Sequence, residues 1–485
     1  MRARPEAEVL LLVAAVLSAG ALLVGGVLGD ADGRRRIMRW ALAALVVTGF
    51  AGLVVDEAPL SLVFRFGGTA SASIVLPLAL AGVATRYQGI ARATAIGIAY
   101  GAYGAATAVG PVLLTLFGPS GSRWPAYLVA GIAALVALSV VRTSWADLPA
   151  PSRAQRFGIF ATATWAFGIV VLTAGVIGLQ GSDADRIRLL FVVGGVILLI
   201  AGLALERRRR AAGTPIHVER RSVAVALFVG FVIAYAQSAA LLQVPLYFQL
   251  ILGYGPVWAV IATIPFMAAL VVAGPVAGIL LTRFRPRSLV VIGVVAVGVG
   301  NVLIAVVLRP GAAYPGFALS FLFIGAGFVI ATTVRTAIIF ASVPRGLPAT
   351  AAALNEASVS LGARAGLVVV TLLITTLAVD SYAGTLVGRP PGEIDAAVDA
   401  FRTLLIAIGL PQYGALVDGV GAADAAAYAA AYTDAVRTVL LSTGLVALLA
   451  APIAWIALGR RDPLRTVWEH QDERVSPVGD PSPHH

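Results

Sequence analysis

The chain has 485 residues, of which 59% are hydrophobic and only 12% are charged, so it carries more apolar surface than a soluble domain can bury. The net charge of +11 comes from arginines in short turns between apolar runs, which is typical of membrane-orienting charge and excludes a nucleic-acid-binding protein. The chain has neither Cys nor Lys, which excludes disulfides, cysteine nucleophiles and a Walker A phosphate loop. We therefore expect a multi-pass membrane protein without a cofactor or metal site.

Thirteen apolar runs of membrane-spanning length follow one another along the chain. They are separated by Gly, Pro and clusters of charge. The runs lie near residues 8–28, 39–55, 59–85, 93–117, 124–142, 157–178, 187–205, 223–251, 257–281, 288–308, 316–342, 350–379 and 436–458.

The odd-numbered turns between these spans hold most of the arginines, whereas the even-numbered turns hold fewer arginines and more acids. Because arginine-rich turns stay in the cytoplasm, the bias predicts a cell-membrane protein with its C-terminus in the cytoplasm and its N-terminus outside.

The turn from Gly26 to Met38 is the most distinctive polar segment. Its glycines, Gly26 and Gly33, allow close helix approach and chain reversal, and Asp30 stands where the first span ends. Arg34 and Arg35 open the next span. The turn is interpreted either as a charged loop that only orients the helix or as a conformational latch.

A weaker copy of this turn runs from Gly278 to Arg287, with Thr282 in the place of Asp30 and Arg285 in the place of Gly33. The copy predicts two similar halves. Two spans lie between the basic loop at 206–221 and this copy, but only one span precedes Gly26. We therefore expect that one helix at the start was lost or was excluded by a start codon placed too far downstream.

Four ionisable residues lie inside apolar spans: Arg65, Arg335, Glu356 and Arg364. A charge near the membrane centre costs about 2.5–3.5 kcal/mol on insertion scales, so these residues are expected to face the interior and to have partners. Glu356 and Arg364 share one helix face with Ser360, and Arg335 is placed at a depth similar to that of Glu356. Two interpretations remain open: a fixed ion pair, or a site that exchanges protons or binds substrate.

A stripe of small residues marks the span at 93–117. Gly97, Gly101 and Gly104 repeat at helical spacing, and Gly110 and Pro111 follow as a bend. The stripe predicts a close contact with another helix, either as ordinary packing or as a joint that lets a helix pair rock.

The expected domain organisation has four parts. They are an N-terminal bundle at 1–142, two inserted helices and a loop at 143–221, a C-terminal bundle at 222–459, and a disordered cytoplasmic tail at 460–485. The C-terminal bundle includes an external segment at 380–435, whose apolar spacing predicts a helical cap on the membrane.

These motifs resemble those of the major facilitator superfamily. The opening turn is similar to the G-x-L-x-D-x-x-G-R signature between the second and third helices, and Leu62–Ala70 resembles the fourth-helix motif with its arginine, here Arg65. The glycine pattern of Gly97, Gly101, Gly104 and Gly110, followed by Pro111, resembles the antiporter motif of the family's fifth helix. The segments Leu242–Gln249 and Gly253–Pro256, with Pro265, resemble the ninth and tenth helices of the fourteen-helix drug:proton antiporters.

The resemblance implies a fold of two pseudo-symmetric helical bundles with two extra helices between them, here lacking the family's first helix. It implies a latch at Gly26, Asp30, Gly33, Arg34 and Arg35, and an acidic site at Glu356. It also implies a proton gradient as the energy source.

We predict a monomeric, proton-coupled efflux antiporter of drugs or amphipathic metabolites that works by alternating access, with the lipid bilayer, protons and its small-molecule substrate as partners. The alternatives are an exporter of a specific anionic metabolite and a transport-inactive scaffold or sensor. An enzyme is not expected, because the predicted spans contain no His, no Cys and no pair of carboxylates.

Overall fold

The computed structural model describes residues 18, 20–55, 58–117, 124–144, 164, 168, 171, 185–211, 220–309, 311–343, 347–388, 390–407 and 422–459. Within these ranges every regular element is a helix, because long runs of Ala, Leu, Val and Ile can satisfy their backbone groups in lipid only in this way. The prediction of an all-α membrane protein is thus confirmed.

The helices are numbered here in chain order. The first half comprises α1 to α5, and α6 lies between the two halves along the chain. The bounds are α1 20–32, α2 Arg34–Ala51, α3 Ala58–Arg86, α4 Gly89–Phe117, α5 Trp124–Ser144 and α6 Asp185–Ala211.

The second half comprises α7 to α14. The bounds are α7 Arg220–Leu250, α8 Pro256–Ile261, α9 Ile264–Leu280, α10 Pro286–Val307, α11 Tyr314–Ser342, α12 Pro348–Thr385, α13 Pro391–Ala407 and α14 Ala422–Leu458.

Among the described residues, eight helical segments are long and apolar enough to cross a membrane. They are Val63–Arg86, Trp124–Thr143, Arg221–Leu250, Val257–Leu280, Pro286–Val307, Tyr314–Ser342, Pro348–Thr385 and Asp424–Leu458. The predicted span at 157–178 lies outside the described residues except for three positions. Residues 8–17 of the first predicted span and the tail at 460–485 lie outside them entirely.

Two predicted spans differ in detail from the structure. The span at 257–281 is interrupted by a turn at 262–263, because Pro265 lacks an N–H and starts a new helix, α9. The last span begins earlier than predicted, at Ala422, because the alanine-rich segment that follows has a high helix propensity.

The second half has a dense helical core. Helix α10 packs on α11 and α14, and α7 packs on α12. In the first half α2 packs on α3 and α5. The halves meet where α4 packs on α9 and α11 and where α12 packs on α3. These cross-half contacts position the candidate site.

The external segment contains a helix, as its apolar spacing predicted. Phe401 of α13 is buried between Tyr382 of α12 and Tyr428 of α14, with ring centroids 5.1 and 4.4 Å away. This aromatic cluster holds α13 against the two long helices of the second half.

Candidate functional site

Asp30 joins the two halves at the end of the molecule that carries the arginine-rich turns, called here the arginine-rich face. Its carboxylate accepts hydrogen bonds from the backbone N–H groups of Ala349 and Thr350, at 3.1 and 2.7 Å, and from the Thr350 hydroxyl at 2.9 Å. Helix α12 has no side-chain cap of its own at Leu347. Asp30 of the first half therefore caps a helix of the second half.

Asp30 is almost fully buried by this contact. Burial raises the pKa of its carboxyl from 3.8 to about 6, although the three hydrogen bonds and the nearby Arg34 act in the opposite direction. The Arg34 Nε atom lies 4.0 Å from Asp30 Oδ1. Protonation of Asp30 is thus linked to its burial between the halves.

The other residues of the turn hold the first half together. Arg34 donates to the Thr85 hydroxyl at 3.3 Å, and Arg35 donates to the backbone carbonyl of Arg142 at 2.6 Å. Gly33 separates α1 from α2 with a φ of 98°, a conformation that favours glycine. These contacts fix the end of α1 from which Asp30 reaches α12.

Gly26 allows α1 and α12 to pack closely. A Cβ atom added at Gly26 would lie 2.7 Å from the Ala349 carbonyl oxygen and 2.5 Å from the Ala353 Cβ atom. Farther along the same contact, Leu22 and Leu23 pack against Ala353 and Ala357.

The copy of the turn occupies the corresponding position on the other side of the interface. Gly278 of α9 packs directly on the Thr94 backbone near the start of α4, as Gly26 packs on the start of α12. The environments of the two turns are therefore related by a twofold correspondence, as the internal repeat predicted.

The predicted glycine stripe of α4 continues this second contact. Gly97 packs on the carbonyl group of Gly274, and Gly101 faces the Val271 carbonyl oxygen at 3.2 Å from a Cβ position. A Cβ at Gly104 would lie 2.6 Å from that of Leu270. Gly110 and Pro111 lie in α4, but their packing is outside the described part of the chain.

A buried polar cluster lies deeper in the molecule, where α4 meets α11 and α12. Tyr100 of α4 donates to Glu356 Oε1 at 2.5 Å, and Asn355 Nδ2 lies 3.0 Å from the same oxygen. The Tyr100 hydroxyl is 3.2 Å from that of Thr336, which also accepts from Asn355 at 3.0 Å. Glu356 is thus bound by a residue of the opposite half.

Arg335 completes this cluster and is fully buried. Its Nη1 atom donates to Asn355 Oδ1 at 2.6 Å and to the Ser358 hydroxyl at 3.4 Å. The expected link between Arg335 and Glu356 therefore runs through Asn355. Gly230 of α7 makes room for the guanidinium, because a Cβ there would collide with Nη1.

The remaining two intramembrane arginines have different surroundings. Arg364 is partly buried and donates to the Ser18 hydroxyl of the first half. Arg65 of α3 is exposed.

Sequence reasoning did not identify Tyr100, Thr336 or Asn355 as site residues. A tyrosine in an apolar helix and a threonine in a span usually belong to ordinary packing. Asn355 offered one signal, since a buried amide beside an intramembrane acid needs partners of its own.

The geometry describes two helical halves that are joined by polar bonds at the arginine-rich face and at the polar cluster. No group of three or more metal-ligating side chains occurs among the described residues.

Comparison with proteins of known sequence identifies related efflux and resistance proteins. The chain is 27% identical to the multidrug efflux pump LfrA of Mycolicibacterium smegmatis, over 94% of this chain and 90% of that protein. It is 25% identical to the tetracenomycin C resistance and export protein of Streptomyces glaucescens, over 74% and 67% of the two chains. It is 30% identical to the puromycin resistance protein of Streptomyces alboniger, over 59% and 57%.

Solved structures share the fold. The human organic anion transporter MFSD10 has a TM-score of 0.55 at 14% identity, covering 92% of this chain and 83% of that chain. The proton:xylose symporter XylE has a TM-score of 0.53 at 15% identity, covering 95% and 89%.

The Major Facilitator Superfamily model matches residues 3–153 and 137–367, which together make up most of the chain. The chain, a transporter and not an enzyme, therefore belongs to the Major Facilitator Superfamily.

Proposed function

We propose that this protein is a proton-coupled antiporter of the cell membrane that exports small amphipathic molecules by alternating access. Its arginine-rich face and its C-terminus lie in the cytoplasm, as the positive-inside rule implies, and it works as a monomer. The relationship to a multidrug efflux pump and to a tetracenomycin C export protein supports the direction of transport. The observation that carries the proposal is the hydrogen bond from Tyr100 to Glu356 across the two halves.

The chemistry of this bond links a proton to the interface. Burial disfavours a carboxylate, whereas hydrogen bonds from Tyr100 and Asn355 favour it. Separation of the halves removes the Tyr100 bond and exposes Glu356 to water. The two conformations therefore differ in their affinity for the proton, and a proton gradient can drive the change from one to the other.

Asp30 supplies the part of the same contact that lies nearest the cytoplasm. With Asp30 on the start of α12 and Glu356 bonded to Tyr100, the cytoplasmic side is closed. In this conformation the cargo and the proton can enter or leave only from the opposite side of the membrane. Rotation of one half against the other opens the cytoplasmic side by breaking both contacts, while the glycine-lined contact of α4 with α9 acts as the pivot.

The test is proton flux in liposomes that contain the purified full-length protein. In the Glu356→Gln variant we expect proton flux driven by an exported compound to fall at least about tenfold, because the amide cannot titrate. Tyr100→Phe should keep the titrating group but weaken its link to the interface, so flux should fall less.

The control is Arg309→Gln, which changes an exposed arginine in the turn between α10 and α11, outside the polar cluster. Full proton-coupled flux in Glu356→Gln at normal protein levels would remove Glu356 from the mechanism.

A further inference from the structure

Helix α12 presents a stripe of three polar side chains, Glu356, Ser360 and Arg364, to the first half. They stand four residues apart and so share one helix face. Gly362 and Gly366 lie on the opposite side of α12, where they pack on the Phe231 and Tyr235 backbone of α7. The Arg364 side chain therefore points away from its own half and towards the interface between the halves.

The two ends of this stripe differ in charge balance. Glu356 is bound by Tyr100 and Asn355, and Asn355 also binds Arg335. Among the described residues, the guanidinium of Arg364, two helical turns away, donates only to the neutral hydroxyl of Ser18. Its Nη1 atom is buried and has no hydrogen-bond partner in the same part of the chain.

No carboxylate of the described residues lies within ion-pair distance of Arg364. An arginine held inside a membrane protein normally pairs with an acid or marks a substrate pathway. Arg364 is about 24 Å from the start of α12 along the helix axis, beyond the Gly26 and Leu22 contacts that close the arginine-rich face. Arg364 therefore places a positive charge between the two halves, deeper than the contacts at the arginine-rich face.

We propose that Arg364 binds the anionic group of the transported molecule, so that the cargo is an amphipathic anion such as an alkyl or aryl carboxylate or sulfonate. Two N–H groups of the planar guanidinium fit such a group, and Leu361, one helical turn away and only partly buried, can contact an apolar body. An anion at this point replaces Ser18 as the partner of Arg364. Binding then weakens a contact between the halves, which links the cargo to the conformational change.

This assignment rests on the transport function proposed above, and a binding assay separates the two. The full-length protein in nanodiscs is titrated with decanesulfonate and with decyltrimethylammonium, which share a chain length but differ in charge. We expect the sulfonate to bind at least about tenfold more tightly than the cation. Arg364→Gln should remove this preference, and Arg364→Lys should keep part of it because the charge remains.

Two control variants test whether the effect is specific to Arg364 and whether it is separate from proton coupling. Arg309→Gln, which removes an exposed arginine in the turn between α10 and α11, should leave the preference intact. Glu356→Gln should keep sulfonate binding while it loses proton flux, so a failure of proton coupling is distinguishable from a failure of anion recognition. Equal binding of both probes by the wild-type protein, an unchanged preference in a folded Arg364→Gln variant, or an equal loss in Arg309→Gln would each overturn the assignment.

Discussion

The opening turn at Gly26–Met38 and its copy at Gly278–Arg287 have the same position in the fold but different chemistry. In both, a glycine lets a helix of one half pack on the first turns of a helix of the other half. The opening turn then adds a carboxylate that bonds to α12. The copy has Thr282, whose hydroxyl bonds to the Ile279 carbonyl within its own half at 2.8 Å.

The arginines differ in the same sense. Arg34 lies 4.0 Å from the bridging Asp30, whereas Arg287 stacks on Trp455 at 4.3 Å and bonds to the Gly459 carbonyl within the second half. The duplicated glycines thus preserve the shape of the interface, while only one of the two turns contributes a polar bond across it. We infer that the polar contact between α1 and α12 opens and closes and that the contact between α4 and α9 is the pivot.

The largest expected effect comes from filling the shared glycine positions. Gly26→Val and Gly278→Val should each reduce transport at least about tenfold, because a side chain at either position collides with the backbone of the other half. Transport is measured in cells at matched protein levels.

Gly194→Val is the matched control, since a Cβ at Gly194 meets nothing within 4 Å. Normal transport in both interface variants would show that the halves do not approach as closely as described.

A smaller effect is expected from removal of the carboxylate. Asp30→Ala should destabilise the closed arginine-rich face by about 1–2 kcal/mol, the usual cost of a lost helix cap, or roughly 5–30-fold in the equilibrium between closed and open forms. Accessibility of cysteines introduced at that face reports the equilibrium. Thr282→Ala should change it by less than about 0.5 kcal/mol. Similar effects of the two variants would contradict the assignment of different roles to the two turns.

The closed contact should also depend on pH. The pKa of the Asp30 carboxyl is about 6 when buried against α12, compared with 3.8 in water. The proton therefore binds more tightly to the closed form, so the closed population should fall as the pH rises from about 4 to about 6 and then level off. The same accessibility assay checks this across a pH series at the arginine-rich face. Asp30→Asn should remove this part of the pH dependence, and an identical pH profile in that variant would assign it to another group.

The architecture could be predicted from sequence because it depends on local and repeated signals. Apolar runs of spanning length predicted helices, and the spaced glycines of α4 predicted a close contact, that the structure contains. The degraded copy at Gly278 predicted the correspondence between the halves.

The polar cluster could be predicted only in part, because its bonds join residues far apart in the chain. Glu356 and Arg335 were identified by the cost of placing charge in a membrane. Their partner Tyr100 is separated from Glu356 by 256 residues, and a single sequence gives no sign of which tyrosine faces that acid. Asn355 was not expected as the bridge, since an opposite-charge pair at similar depth favours a direct contact.

The most direct test of the central claim is double electron–electron resonance, for which the cysteine-free chain is well suited. One spin-label pair joins Arg36 and Arg285 at the arginine-rich face, and a second joins Leu60 and Val387 at the opposite face, all at exposed positions. Across a pH series in nanodiscs, we predict that a longer distance at the first pair gains population while a shorter distance at the second pair gains population in equal proportion. Distances that lengthen together at both faces, or that do not change at either, would contradict alternating access between these two halves.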